Sequence, residues 1–279
     1  MSRPFIIAQI TDCHVGERGS PFDDQFESGA HLGAAVRHIM TMDPQPDVVI
    51  ATGDLIHEGQ REEYEHFSEM LSPLSIPVYL IPGNHDDRDN MRSVFADHDY
   101  LPAGQFLQYS VDEQPLRLVF LDTLIPGETG GELCGERLTW LAEKLDAEPN
   151  RPTFIAMHHP PFLTGISPFD RNRNGYGLIG AELLGNMIAR HPQIERIVCG
   201  HIHRPISTKW YGTMVSVAPS TSHQIELDLV GDRQLTLVNE PPAVDLHVWI
   251  SNGSLISHRS YIGDYPEVLR VEMPSPEAA

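Results

Sequence analysis

The stretch "YLIPGNHDDRDN", residues 79–90, runs from apolar residues straight into Asn84, His85, Asp86 and Asp87. Its first half has the continuous, β-rich hydrophobicity of a strand covered on both faces, and Pro82 with Gly83 reads as the turn that ends it. A core does not hold four polar groups in a row without partners. The segment therefore predicts a strand whose carboxyl end delivers side chains to a shared site.

Outward from this stretch the same pattern recurs. "FIIAQI" (5–10) is followed by Asp12 and His14, "DVVIATG" (47–53) by Asp54, "TFIAM" (153–157) by His158 and His159, and "IERIVCG" (194–200) by His201 and His203. "LRLVFLD" (116–122) is a further strand. Residues 29–42, 61–71, 135–147 and 180–190 carry apolar positions at a spacing near 3.6 and read as helices between most of these strands. Covered strands alternating with helices predict an α/β fold with right-handed crossovers. In an open α/β sheet the carboxyl ends of the strands meet at one crevice, so five strand ends would bring these polar residues together.

After residue 200 the pattern turns to strands: "TKWYGTMVSVAPS", "HQIELDL", "VDLHVWIS" and "SLISHRSYI", the last two joined at "SNGS". The expected organisation is a catalytic domain over 1–225, a small β-rich C-terminal extension over 226–270 and a disordered tail over 271–279. A hairpin over 244–262 needs something to pack on, which makes the extension an expected rim of the site and an oligomer contact.

A chain of 279 residues can bury a large α/β core with an accessory piece. Its 19 Lys and Arg against 39 Asp and Glu give a net charge of −20, which excludes a protein that tracks a nucleic-acid polymer. No run approaches the roughly 18 apolar residues that span a bilayer, and the amino-terminal apolar stretch is too short for a signal peptide. The expected setting is cytoplasmic, with no membrane partner. Cys13, Cys134 and Cys199 are odd in number and lack CxxC spacing, so they read as reduced thiols. Of the 15 His, many fall in short polar clusters.

Carboxylate, imidazole and amide oxygen without thiolate suit Mn, Fe, Zn or Co. Two carboxylates and at least five imidazoles exceed what one ion needs, and one Asp between two ions would bridge them, as hydrolytic two-metal sites require. Asp54 is the natural bridge.

The blocks "DCH" (12–14), "GDLIH" (53–57), "GNHD" (83–86), "HH" (158–159) and "GHIH" (200–203) follow the order D-x-H, G-D, G-N-H-[DE], H and G-H-x-H. In this series the chain resembles the calcineurin-like metallophosphoesterases over about residues 5–225. The resemblance implies a four-layer α/β/β/α sandwich with two divalent or trivalent metal ions per chain at one edge. It implies one ion on Asp12, His14, Asp54 and His203, and the other on Asp54, Asn84, His158 and His201, with His85 as general acid or transition-state donor.

Through "YLIPGNHDD", "MHHPPF" and "APSTSHQ" the chain is similar to the bacterial class III cyclic nucleotide phosphodiesterases and glycerophosphodiesterases, which puts His223 beside the substrate together with Asn84 and His85. Purple acid phosphatases carry Tyr three residues after the G-D aspartate, where this chain has His57, an argument against tyrosinate-ligated iron. His57 otherwise reads as a surface or core histidine, as do His31, His38, His66, His98, His191, His247 and His258. Asp86 is expected to orient the His85 imidazole, or else to cap a helix. Arg171 and Arg173 in the loop "SPFDRNRNGYG" (167–177) are expected to meet an anionic substrate. The function expected is hydrolysis of small phosphodiesters, a 3′,5′-cyclic nucleotide first and a glycerophosphodiester second. A phosphomonoesterase or a non-catalytic scaffold stands further off.

Overall fold

The computed structural model describes residues 3–167, 169–170, 175–230, 235–250 and 253–271. The first half of the chain runs β1 (Phe5–Ile10), α1 (Pro21–Phe26), α2 (Ser28–Met40), β2 (Val48–Thr52), α3 (Arg61–Leu71), β3 (Val78–Ile81) and α4 (Arg88–Val94). The second half runs β4 (Tyr109–Val111), β5 (Arg117–Leu121), β6 (Gly131–Glu132), α5 (Gly135–Ala147), β7 (Thr153–Met157), β8 (Leu178–Ile179), α6 (Ala181–Ile188), β9 (Ile194–Cys199), β10 (Ile206–Trp210) and β11 (Thr213–Val217). The pairs β12 (Gln224–Ile225) with β13 (Leu237–Val238), and β14 (Ala243–Ile250) with β15 (Ser254–Tyr261), close the chain.

Two large sheets form, one in the order β15-β14-β1-β2-β3 and one in the order β10-β11-β9-β7-β5-β4, beside the two-stranded pairs β6-β8 and β12-β13. The strands that end in candidate ligands run parallel within each sheet: β1 with β2, β2 with β3, and β7 with β9. Alternation along each strand divides the side chains between two layers. Ile7, Val48 and Ile50 meet Leu118, Phe120, Phe154 and Val198 between the sheets. On the outer face of the first sheet Ala8, Ile10, Val49 and Ala51 pack on Leu32, Val36, Tyr64 and Phe67 of α2 and α3. On the outer face of the second, Val119, Ile155, Met157 and Ile197 pack on Leu141, Leu145, Leu184 and Ile188 of α5 and α6. The result is the four-layer α/β/β/α sandwich.

The C-terminal segment joins this sandwich directly. β14 lies antiparallel to β1, from Phe5 opposite Trp249 to Gln9 opposite Asp245, and β15 lies outside it. Residues read as one strand, "TKWYGTMVSVAPS", form the hairpin β10–β11, because Tyr211 and Gly212 both adopt positive φ and reverse the chain. Below the site, the Gln9 side-chain amide donates to Thr52 Oγ1 at 2.9 Å and to the Cys199 carbonyl at 3.0 Å, stitching the two sheets together. Its carbonyl oxygen accepts from His247 Nε2 at 3.0 Å. At the other margin, β3 is an outer strand whose carbonyls at Val78 and Leu80 accept from the hydroxyls of Tyr100 and Tyr109 at 2.9 and 2.8 Å. Among the described residues no helix is long and apolar enough to cross a membrane.

Candidate metal centre

Five of the candidate ligands occupy the left-handed region of backbone space: Asp12 (φ 51), His14 (φ 45), Asp54 (φ 49), His201 (φ 71) and His203 (φ 51). Only two other non-glycine residues among those described do so, Glu27 and Tyr211. Such a conformation costs about 1–2 kcal/mol for a residue with a Cβ, and it turns the chain sharply just beyond a strand. Local hydrogen bonds hold the turns. Asp12 N–H donates to the Gly53 carbonyl and His14 N–H to the Asp54 carbonyl, both at 3.0 Å. The His201 N–H donates to the Asp12 carboxylate, 3.0 Å from each oxygen. Two glycines leave necessary room, since a Cβ at Gly200 would strike Thr11 and Asp12, and one at Gly83 would strike Asp54 and His158.

The side chains converge. Asp54 Oδ2 lies 3.3 Å from His158 Nε2 and 3.7 Å from His14 Nε2, so one carboxylate oxygen faces an imidazole from each sheet. Asp12 Oδ1 lies 3.3 Å from His203 Nε2, and His203 Nε2 lies 3.0 Å from His14 Nε2. Asn84 Oδ1 is 3.3 Å from His158 Nε2. The far nitrogens donate to main-chain carbonyls: His158 Nδ1 to Thr52 at 2.8 Å, His203 Nδ1 to His223 at 2.7 Å, and His201 Nε2 to Tyr176 at 2.8 Å. Each such bond fixes the ring orientation and leaves the other nitrogen available to a metal ion.

Burial works against charge throughout this cluster, yet the groups perturb one another more strongly. Burial opposes ionisation of Asp54, but His158 and His85 hold its carboxyl well below the usual range. Burial opposes the His158 cation, while Asp54, through charge and hydrogen bond, lifts it to about 9. His201, buried and beside His158, falls to about 3.

Whether metal fits can be judged from the donors. His14 Nδ1 is buried without a hydrogen-bond partner, and Asp12, Asp54 and His158 present ligand atoms within 4.8 Å of one another, as do His14, His203 and His223. The neighbouring Cys13 thiol is pushed up to about 12 by burial and stays protonated. An oxygen and nitrogen set without thiolate, with a carboxylate between two imidazole groups, fits a pair of transition-metal ions.

Of the seven expected ligands, His14, Asp54, Asn84, His201 and His203 line one crevice, and Asp12 and His158 lie buried beside Asp54, their ligand atoms within 4.8 Å of one another. His85 joins them: its N–H donates to Asp54 Oδ1 at 2.9 Å, its Nδ1–H donates to the His57 carbonyl at 2.7 Å, and its ring lies 4.7 Å from that of His14. The His223 ring is 4.8 Å from His203 and 5.3 Å from His14. His159 sits behind the ligands, its Nε2–H donating to the Thr129 carbonyl and its Nδ1 accepting from the Thr123 hydroxyl at 2.7 Å.

Asp86 requires a correction. Its carboxylate accepts from Gly83 N–H at 2.7 Å, Leu55 N–H at 3.2 Å and the Tyr64 hydroxyl at 2.8 Å, while the His85 Nδ1–H goes to the His57 carbonyl instead. It ties two ligand-bearing loops together, and the helix cap falls to Asp87, whose side chain accepts from Asp89 and Asn90 N–H. Arg171 and Arg173 lie outside the described residues.

His57, read as a surface or core histidine, is a site residue. Its ring stacks on Phe22 at 3.5 Å and lies 5.5 Å from His85. Its position inside the "GDLIH" block was the available signal. The crevice over the ligands, about 330 Å³, is walled by Phe22, His57, Phe169, Tyr176, His223 and Leu237. A second, polar cleft of about 950 Å³ opens beside it, lined by residues such as Glu58, Gln60, Asp89, Gln105 and Glu128. The two share His57, Asn84, His85 and Thr129.

The family model described as calcineurin-like phosphoesterase matches residues 5–205. The chain is 36% identical over 260 residues to a probable glycerophosphodiester phosphodiesterase of Arcobacter nitrofigilis, covering 93% of this chain and 94% of that one. It is 30% identical over 220 residues to a 3′,5′-cyclic adenosine monophosphate phosphodiesterase of Escherichia coli K12, covering 79% and 77%. Among solved structures, a dimetal phosphatase from Danio rerio superposes with a TM-score of 0.64 at 15% identity, covering 94% of this chain and 99% of that one.

Proposed function

The chain belongs to the calcineurin-like phosphoesterases, and on that premise we propose that it is a binuclear metal-dependent phosphodiesterase of small diesters. The observation that carries this reading is Asp54, whose single carboxylate oxygen faces His158 on one side and His14 on the other. Asp12, His14, Asp54 and His203 would hold one ion, and Asp54, Asn84, His158 and His201 the other. Bound there, iron, manganese, zinc or cobalt supplies Lewis acidity toward a phosphoryl oxygen and acidifies a coordinated water. His85 donates a proton to the departing alkoxide, with Nδ1–H committed to the His57 carbonyl and Nε2 left for the substrate. Asn84 and His223 contact the diester.

A 3′,5′-cyclic nucleotide is the first reading of that diester. A glycerophosphodiester is the second, favoured by the paired clefts that meet at Asn84 and His85, since an open-chain diester has two separate organic arms. The Arcobacter relative's name points the same way. Arg171 or Arg173 would balance the diester's charge.

The test has two parts. Asp54→Ala should lose activity and most of the bound metal, and near-normal metal content would overturn the bridge. Comparison of kcat/KM for cyclic AMP, a glycerophosphodiester and a simple monoester under one metal condition ranks the substrates, and a monoester in first place would overturn the diesterase reading. Cytoplasmic residence accords with three free cysteines. Homo-oligomerisation through the outer strand β15, where Ile256 and Tyr261 are exposed, is checked by light scattering at micromolar concentration.

A further inference from the structure

The His57–Glu58 peptide unit is bound at both ends. Its carbonyl accepts the Nδ1–H of His85 at 2.7 Å. Its N–H donates to the side chain of Glu63, 2.9 Å from Oε2 and 3.2 Å from Oε1. Glu63 is only 2% exposed, and its Oε2 also accepts from Gln60 N–H at 3.0 Å. A carboxylate, a peptide and an imidazole thus stand in one hydrogen-bonded chain, and each bond in such a chain polarises the next. On the other side the peptide is steadied by the His57 ring stacked on Phe22 and by His57 N–H donating to the Val15 carbonyl at 3.2 Å.

We propose that Glu63 is a positioning residue for the reaction, holding and polarising the carbonyl that orients His85. The proposal rests on the reading of His85 as proton donor to the leaving alkoxide. Glu63 also belongs to the capping box of α3, with Gln60 as its partner. That role needs only an acceptor oxygen, which glutamine supplies equally well. The charge on Glu63 therefore has a use that the helix cap does not explain.

The experiment exploits this difference with Glu63→Gln in the metal-loaded enzyme. Two esters are compared: bis(4-nitrophenyl) phosphate, whose leaving group needs little protonation, and whichever of cyclic AMP or glycerophosphoethanolamine is turned over faster. The expected result is a fall of about tenfold in kcat for the alkyl ester, a part of the roughly 10²–10⁴ that a general acid supplies. KM, metal content, Tm and the aryl rate should stay within about twofold or one degree of the parent. In metal-free protein the His85 ring-nitrogen resonances should move. In a His85→Ala background Glu63→Gln should add nothing, because the two act as one unit.

Equal losses on both esters, or a loss that persists without His85, would overturn the positioning role. If His85→Ala alone slows both esters equally, it is the parent reading of His85 that fails. Should the Gln variant not fold, Glu63→Asp, with its charge drawn back by one methylene, is expected to show the same ester-selective loss, and an unselective one would again overturn the role.

Discussion

Gly83 shows how tightly single residues are specified at the metal centre. A methyl group there would push against the Asp54 main-chain nitrogen and carboxylate and the His158 ring together. Gly83→Ala is expected to lower bound metal and kcat by more than about tenfold and to lower Tm as well, since the strain falls on the Asp54 main chain as well as on the side chains around it; metal analysis beside a thermal melt followed by circular dichroism checks it. The convergence of the candidate ligands was legible in the sequence because each follows a strand by one to four positions, and strand ends at one edge converge. Glu63 was not, because it reaches His85 through a main-chain N–H and carbonyl that every residue type possesses, and His57 was signalled only by its place in the "GDLIH" block. Asp86 misled for the opposite reason. Its N–H closes a tight turn on the Gly83 carbonyl at 3.4 Å, and its carboxylate is taken up by Gly83, Leu55 and Tyr64.

At the scale of elements, β3 and β14 carry the testable detail. The Tyr109 hydroxyl crosses from the second sheet to the Leu80 carbonyl on the outer strand of the first. Tyr109→Phe keeps the ring and strands that carbonyl, so stability in urea is expected to fall by about 1–3 kcal/mol with the m-value unchanged. On β14, His247 is fully buried, its Nδ1 accepting from the Ser257 hydroxyl and its Nε2–H donating to Gln9, with Arg196, Arg259 and Asp245 around it. Burial, helped by the two arginines, lowers its imidazole from 6.5 to about 3. Above about pH 6.5 the ring is neutral in folded and unfolded chain alike, and its contribution is complete. Between 6.5 and 3 the unfolded chain takes up a proton that the folded one refuses, so stability falls with falling pH, by up to about 5 kcal/mol. His247→Gln is expected to flatten this acid limb in a series of urea melts, and an unchanged slope would remove the assignment. The spans of α3 and α5 match the periodic segments at 61–71 and 135–147, because local spacing determines a helix. Strand order was not legible, since alternation along β14 states that one face is buried and says nothing of which neighbour covers its edge.

For the whole molecule, the two large sheets divide the candidate ligands: Asp12, His14, Asp54 and Asn84 follow strands of the first, His158, His201 and His203 strands of the second. The charge of −20 suits small anionic substrates held by a local cationic centre and disfavours polyanions. The antiparallel pairing of β14 with β1 sets a further condition, one of timing. A ribosome delivers β1 first, yet the strand that covers its flank is made more than 230 residues later. Until then the nascent chain carries a bare edge in "FIIAQI", apolar but for Gln9, which is a template for wrong pairing. A chain stopped at residue 225 keeps every candidate ligand and still lacks that cover. It is expected to be made in full and to pellet on centrifugation, while the whole chain stays in the supernatant; a soluble, metal-loaded fragment would show that the first sheet closes without its last strands.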